Sequence, residues 1–227
     1  MTAPSPARPA VIAASDATVP ADFADFPVIR TSLSRDDMRA SVAKAAAPLD
    51  VVRVVVVGGT ETPDAVLAGV VSRLMIAERL DLEVAYVAPA ATPATRVYGL
   101  PHGDDAASLA LGGTASTLPL IRDDAAAVVV GEASLRGADG EFTGETYVDN
   151  ERLFSGTSRE VRIRPTAHEP GVEGALPRRF RTRWIAGRAV QTGGIDIVVE
   201  RDGVRAPRPV PRSTFYRHAD DWKLVRP

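Results

Sequence analysis

The chain of 227 residues predicts an α/β fold in two parts, a parallel α/β half followed by a β-rich half. Three observations predict it. Val51–Val57 is a β-branched run broken only by Arg53, the pattern of a central parallel strand. Segments of helical spacing alternate with it over the first half of the chain. After Asp124 the text changes to short strand-like runs separated by the turn signals ADGE, HEPGVEG and RDGV. The boundary falls near Asp123–Ala126, which gives residues 1–124 as the α/β domain and 125–227 as the β-rich domain.

Taken in order, residues 1–8 read as a mobile start, and Ala10–Ala14 and Phe26–Thr31 as short strands. Ser34 caps a helix, SRDDMRASVAKAA, with Asp36 and Asp37 in its first turn where the helix dipole favours negative charge, and Pro48 stops it. A second helix follows Thr62, with Pro63 at its first position and Val66, Leu67, Val70, Val71, Leu74 and Met75 on one side. Leu82–Val87 reads as a strand, APAATPAT as a linker, RVY as a short extended piece and Asp104–Leu111 as a small helix. The β half carries AAVVVGEASL, GETYVDN, REVRIRP, RFRTRWIAGRAVQ, IDIVVE, STFYRH and WKLVRP as strands. Phe215, Tyr216 and Trp222 read as sheet and domain-interface core, and Asp202-Gly203 as a hairpin turn without chemistry.

Apolar residues make up 45% and charged residues 25%, ordinary for a globular protein. The net charge of -2 gives no bulk pull toward nucleic acid or an anionic membrane. Absence of cysteine excludes disulfides, thiolate zinc sites and cysteine nucleophiles together. No apolar run approaches the ~20 residues of a spanning helix, and the proline-rich N-terminus does not read as a signal peptide. These features lead us to expect a cytoplasmic protein.

Between strand and helix stands Gly58-Gly59-Thr60-Glu61-Thr62. A glycine-rich turn at this position lets backbone N–H groups approach an anion, and the helix N-terminus adds partial positive charge. Thr60 and Thr62 could add hydroxyl donors. Neither GxGxxG nor the Lys-Ser/Thr of a P-loop is present, and Glu61 puts a carboxylate beside the expected anion position, so a phosphate site and a purely structural turn both remain open.

The pattern resembles the diacylglycerol kinase catalytic family, which includes bacterial lipid kinases and sphingosine kinases. The family's GGDGT motif corresponds to Gly58–Thr62, and its GTGND-type loop to LPHGDDAASLALGG, with Pro101 and Gly103 in place of its proline and first glycine and Asp104-Asp105 in place of its Asn-Asp pair. Gly187–Val204, GRAVQTGGIDIVVERDGV, resembles the family's closing β segment. The resemblance implies a nucleotide-binding α/β half, a sandwich-like β half and an active site in the cleft between them. It also implies ATP as phosphoryl donor, Mg2+ as metal and a lipid hydroxyl as acceptor. Gly58, Gly59, Thr60, Thr62, Gly103 and Asp104 would then bind the cofactor, and Asp104 and Asp105 the metal. The chain departs from the motif where Thr60 replaces the aspartate and Glu61 the next glycine, and no residue can be assigned as the catalytic base. Phosphoryl transfer depends on positioning and charge neutralisation.

Bland alternatives stand beside each site. Asp104 and Asp105 could serve as helix-capping acids. His102, His168 and His218 show no metal spacing. Arg179, Arg181 and Arg183 alternate with Phe180, Thr182 and Trp184, which on a strand puts three guanidinium groups on one face, extended by Arg162 and Arg164. Such a face could hold a lipid phosphate or a membrane surface, at roughly 1 kcal/mol per basic residue, or could be a solvated sheet face.

The expected function is that of a family member with weak or no phosphotransferase activity that keeps a lipid-, nucleotide- or partner-binding role. It leaves room for peripheral membrane contact and homo-oligomerisation, and none for nucleic acid. The alternative is an active ATP-dependent lipid kinase. A Rossmann cofactor protein is disfavoured by the missing fingerprint.

Overall fold

The computed structural model describes residues 8–177 and 182–227. The expected mobile start and part of the arginine run, including Arg179 and Arg181, lie outside the described residues. The chain divides into two compact units, residues 1–118 with 222–227, and residues 119–221.

In the first unit the β-branched run forms strand β3 (Val51–Val57). It pairs in parallel with β1 (Arg8–Ala14) on one side and β4 (Glu83–Val87) on the other. Outside β1 lies β2 (Val28–Thr31), also parallel. Beyond β4 comes the last strand of the chain, β16 (Trp222–Arg226), and then β5 (Thr114–Leu118), antiparallel to β16. The order is therefore β2-β1-β3-β4-β16-β5. Val54, Val55 and Val56 are fully buried, as continuous apolar runs in a covered parallel sheet should be.

Helix α1 (Arg35–Ala46) starts at Ser34, whose hydroxyl accepts from the Asp37 amide, and packs against β1, β2 and α2 (Pro63–Ile76). Leu67, Val70, Val71 and Leu74 are buried on α2, the stripe that the helical spacing predicts. The segment expected to be a linker and a short extended piece is instead a helix, α3 (Pro93–Tyr98). Thr92 and Thr95 form a capping box around it, Pro93 stands at its first position, and Gly99 ends it in the left-handed conformation at φ 67°. Trp222 is buried edge-on against Tyr98, with ring centroids 5.6 Å apart.

Helix α4 (Asp104–Gly112) is held at its far end by the one charge in β3. The Arg53 guanidinium donates to the carbonyls of Ala110, Leu111 and Gly113 at 2.8–3.2 Å and pairs with Glu83. Those carbonyls are the orphan acceptors of a helix C-terminus, and a cation there also complements the dipole.

The second unit is a ten-stranded antiparallel sheet. Its organising strand is β13 (Ala189–Arg201), where two separate strands were expected. The first half of β13 pairs with β8 (Phe142–Val148) and β15 (Val210–Arg217), the second half with β7 (Ala133–Gly137), and an irregularity lies between Gly193 and Ile197. Close approach requires glycine at 194: a Cβ there would come within 2.7 Å of the Thr143 carbonyl. The sheet continues through β10 (Glu160–Pro165), β11 (Val172–Ala175) and β12 (Trp184–Gly187). Part of HEPGVEG, expected to be a turn, is thus strand. The remaining strands are β6 (Ile121–Asp123), β9 (Glu151–Ser158) and β14 (Val204–Arg205). Leu135, Ile163, Ile197, Val199 and Phe215 centre one apolar core.

Two aspartates tie the irregular chain to this sheet. Asp202, at φ 48°, accepts hydrogen bonds from the amides of Val130, Gly131 and Glu132. Asp123 is fully buried, accepts from the amides of Ala125 and Ala127 at 2.9 Å, and pairs with Arg201. Asp123→Ala would strand a largely buried guanidinium and two amides. It is expected to lower stability by about 3–5 kcal/mol, read as a fall in the urea midpoint.

Candidate functional site

In an open parallel sheet, ligands bind outside the carboxyl ends of the strands where the connections diverge. Here β1 runs on to β2 on one side, while β3 runs through α2 to β4 on the other. The two loops that part at this point are Ser15–Pro20 after β1 and Gly58–Thr62 after β3. Between them lies a cavity of about 210 Å³. Its lining includes Asp16, Gly58, Gly59 and Thr60, the ends of β3 and β4, and Gly103 and Asp104 at the start of α4. Gly58, Gly59, Thr60, Gly103 and Asp104 are thus brought together as the sequence reading grouped them. Thr62 and Asp105 do not line the cavity, and Asp105 is exposed.

The turn's donors face an internal acceptor. Thr60 N–H and Thr60 Oγ1 both donate to Asp16 Oδ2, each at 2.9 Å. The carboxylate at the turn is therefore Asp16, forty-four positions upstream, and not the neighbouring Glu61, which is exposed and outside the cavity lining. Glycine at 59 makes room for this contact: a Cβ there would fall within 2.7 Å of Asp16 Cγ. At Gly58 a Cβ would meet Pro63 Cβ at 2.7 Å, so glycine at 58 lets the strand turn directly into α2.

Asp16 is presented from a braced loop. The Ala17 amide donates to Ala14 O, and Arg30 on β2 donates to the carbonyls of Ala14 and Ala17 at 2.9 and 2.7 Å. The hydrogen bonds from the Thr60 amide and hydroxyl hold the Asp16 carboxyl below its ordinary range, and the Glu61 amide adds to them. The opposite wall is fixed as firmly. Asp64, buried in the first turn of α2, accepts from Tyr86 Oη at 2.7 Å and from the Ala94 amide at 2.9 Å. Gly103 N–H donates to Ala88 O, and Arg53 secures the far end of α4.

The chemistry of the lining is acidic and apolar. Asp16 and Asp104 supply two carboxylates, and no lysine or arginine lines the cavity among the described residues. No group of three acidic or histidine side chains able to hold a metal occurs among the described residues, and His102 is exposed. The Thr60 amide is engaged by Asp16, and none of the described lining residues carries a positive charge that would neutralise a phosphate.

Where described, the arginine face is met by glutamates. Arg162 lies near Glu132 and Glu160, Arg164 pairs with Glu173 and stacks 4.1 Å over the Trp184 ring, and Arg183, just before β12, pairs with Glu151.

A carboxyl depressed in the folded state stabilises fully above its unfolded pKa, and that stabilisation is lost as pH falls through the folded value. Asp16, Asp37 and Glu169 are all depressed, so stability should decline below about pH 4. Asp16→Asn is expected to flatten this acid limb, with a melting-temperature difference of about 1–2 °C because the group is solvent-exposed. Thermal melts between about pH 6 and about pH 2.5 check it.

No protein-family model matches the chain, and no curated protein matches it. Solved structures do. Two, assigned as diacylglycerol kinases of Bacillus anthracis str. Sterne, superpose with TM-scores of 0.73 and 0.72 at 10% and 11% identity. The first match covers 100% of this chain and 98% of that one, the second 97% of each. An NAD kinase from Archaeoglobus fulgidus in complex with ATP matches with a TM-score of 0.58 at 10% identity, over 96% of this chain and 94% of that one. At these identities the likeness is one of architecture: the chain has the two-part fold seen in diacylglycerol-kinase-like and NAD-kinase structures.

Proposed function

We propose that this chain is a kinase-fold protein without effective phosphotransferase activity, retained for binding a ligand that places no phosphate on the Thr60 turn. The observation that carries the reading is the Asp16 carboxylate on the Thr60 amide and hydroxyl. A carboxylate on backbone donors at the mouth of a helix occupies the position that such a turn offers to an anion. Incoming phosphate must displace a braced acid, then lie beside it and Asp104 with no cation in the lining. Both effects act against ATP, and neither is compensated.

What remains beside the plug is a concave, mostly apolar space with Thr18 and two carboxylates. That lining suits an uncharged ligand with hydroxyl donors better than a polyphosphate. Magnesium meets the same obstacle: Asp104 shares the cavity with Asp16, but one of Asp16's oxygens is already spent on Thr60.

The competing reading, an active ATP-dependent lipid kinase, draws on the fold shared with an ATP-bound NAD kinase. Thermal melts with Mg-ATP separate the two. A ligand at 100 times its Kd raises the melting temperature by roughly 5–10 °C for a chain of this size. We expect less than about 1 °C for the wild type and a clear rise for Asp16→Ala, which frees the turn. Transfer of label from ATP to a diacylglycerol should be absent. A wild-type rise of several degrees that disappears in Gly59→Asp would overturn the reading.

A further inference from the structure

The second unit has its own cavity, of about 230 Å³, lined by Ser134, Arg136, Val198, Glu200, Arg205 and the Gly137–Gly140 turn. The register explains the grouping. Ser134 on β7 stands opposite Glu200 on β13, and Glu200 stands opposite Arg205 on β14, so the three form one rung on one face of the sheet. Arg136 and Val198 make the next rung.

Ser134 is 6% exposed, and its hydroxyl has no hydrogen-bond partner. A buried hydroxyl left unpaired is rare in folded proteins and points to a water or a ligand as its partner. The charges around it are unequally committed. Arg136 donates twice to Glu160 Oε1, at 3.2 and 2.7 Å, and its guanidinium is held more firmly protonated by that contact. Arg162, opposite Ser134 on β10, lies near Glu132 and Glu160. Glu200 and Arg205 make no ion pair or side-chain hydrogen bond among the described residues, although Glu200 acts on Arg136 through space.

Beside Arg136, which Glu160 engages, an exposed cation, a half-buried anion and a buried, unpaired hydroxyl thus line the same small space. A simple anion there would satisfy Arg205 and be repelled by Glu200, and a simple cation would do the reverse. A compact zwitterion satisfies both. From this complementarity we infer that the cavity binds a small free α-amino acid. Its carboxylate would sit on Arg205 and accept from Ser134 Oγ, its ammonium on Glu200, and its aliphatic side chain against Val198. The site does not depend on the Thr60 turn, so it stands or falls separately from the function proposed above.

The test is calorimetric titration of the full chain with glycine, alanine and valine, beside acetate, methylamine and inorganic phosphate. Saturable heat is expected for at least one amino acid, with the singly charged probes and phosphate at least about tenfold weaker. Arg205→Ala and Glu200→Gln should each weaken amino-acid binding by about tenfold or more, and Asp16→Ala should leave it unchanged. Ser134→Ala should lower affinity while leaving the melting temperature the same or higher, because it removes an unpaired buried hydroxyl; a purely structural serine would not separate the two. Binding of phosphate or acetate as strong as that of the amino acids would overturn the inference. So would absence of heat from all three amino acids at about 10 mM, where even millimolar affinity registers, or binding indifferent to the Arg205 and Glu200 variants.

Discussion

The contact between the Asp16 carboxylate and the Thr60 amide and hydroxyl is the constraint on which the first unit's ligand end is built. It joins the two loops that leave β1 and β3 where their paths diverge. It leaves no room for a Cβ at position 59 while Asp16 holds its place. It also sets a carboxylate on the Thr60 donors of the turn. Free amides at a strand-to-helix turn draw anions, whereas the same amides closed by a carboxylate leave a surface that repels them.

The rest of the molecule uses the same two devices. Aspartates close clusters of backbone N–H groups: Asp202 takes three amides from Val130–Glu132, and Asp149 takes those of Arg188 and Ala189. Arginines close clusters of carbonyls: Arg30 under the Asp16 loop, Arg53 at the end of α4, and Arg79 on Ala46 O at the end of α1. A chain without disulfides can fix irregular segments this way, because each charge-assisted bond to backbone is stronger than a neutral one and satisfies a group that would otherwise be left unpaired. The loops around the cavity are held from both sides by such bonds, which favours a preformed space over one assembled by the ligand.

Regular elements were legible where local chemistry decides them. Val51–Val57, the apolar stripe of α2 and the Ser34 cap each carry their own signal. Helix α3 was missed although Thr92-Pro93 repeats the Thr62-Pro63 start of α2, because the alanine- and proline-rich surroundings resemble a linker. β11 was hidden behind the turn residues Pro170 and Gly171. The candidate loop itself was visible in Gly58–Thr62, but its partner was not: Asp16 follows β1 in an acid-rich stretch, and its role depends on a pairing between strands far apart in sequence. Arg53 stood out as a charge inside an apolar strand, yet only the position of α4 reveals that it caps a helix.

Whether Asp16 and Thr60 share a hydrogen bond in solution decides what this turn can bind. The most direct measurement is the amide resonance of Thr60 in ¹⁵N-labelled protein, followed through acid titration. It should shift with a midpoint below the ordinary aspartate value of about 3.9, lose that titration in Asp16→Ala, and ignore added Mg-ATP near neutral pH. A Thr60 amide that fails to titrate with Asp16 and moves instead on addition of nucleotide would contradict it.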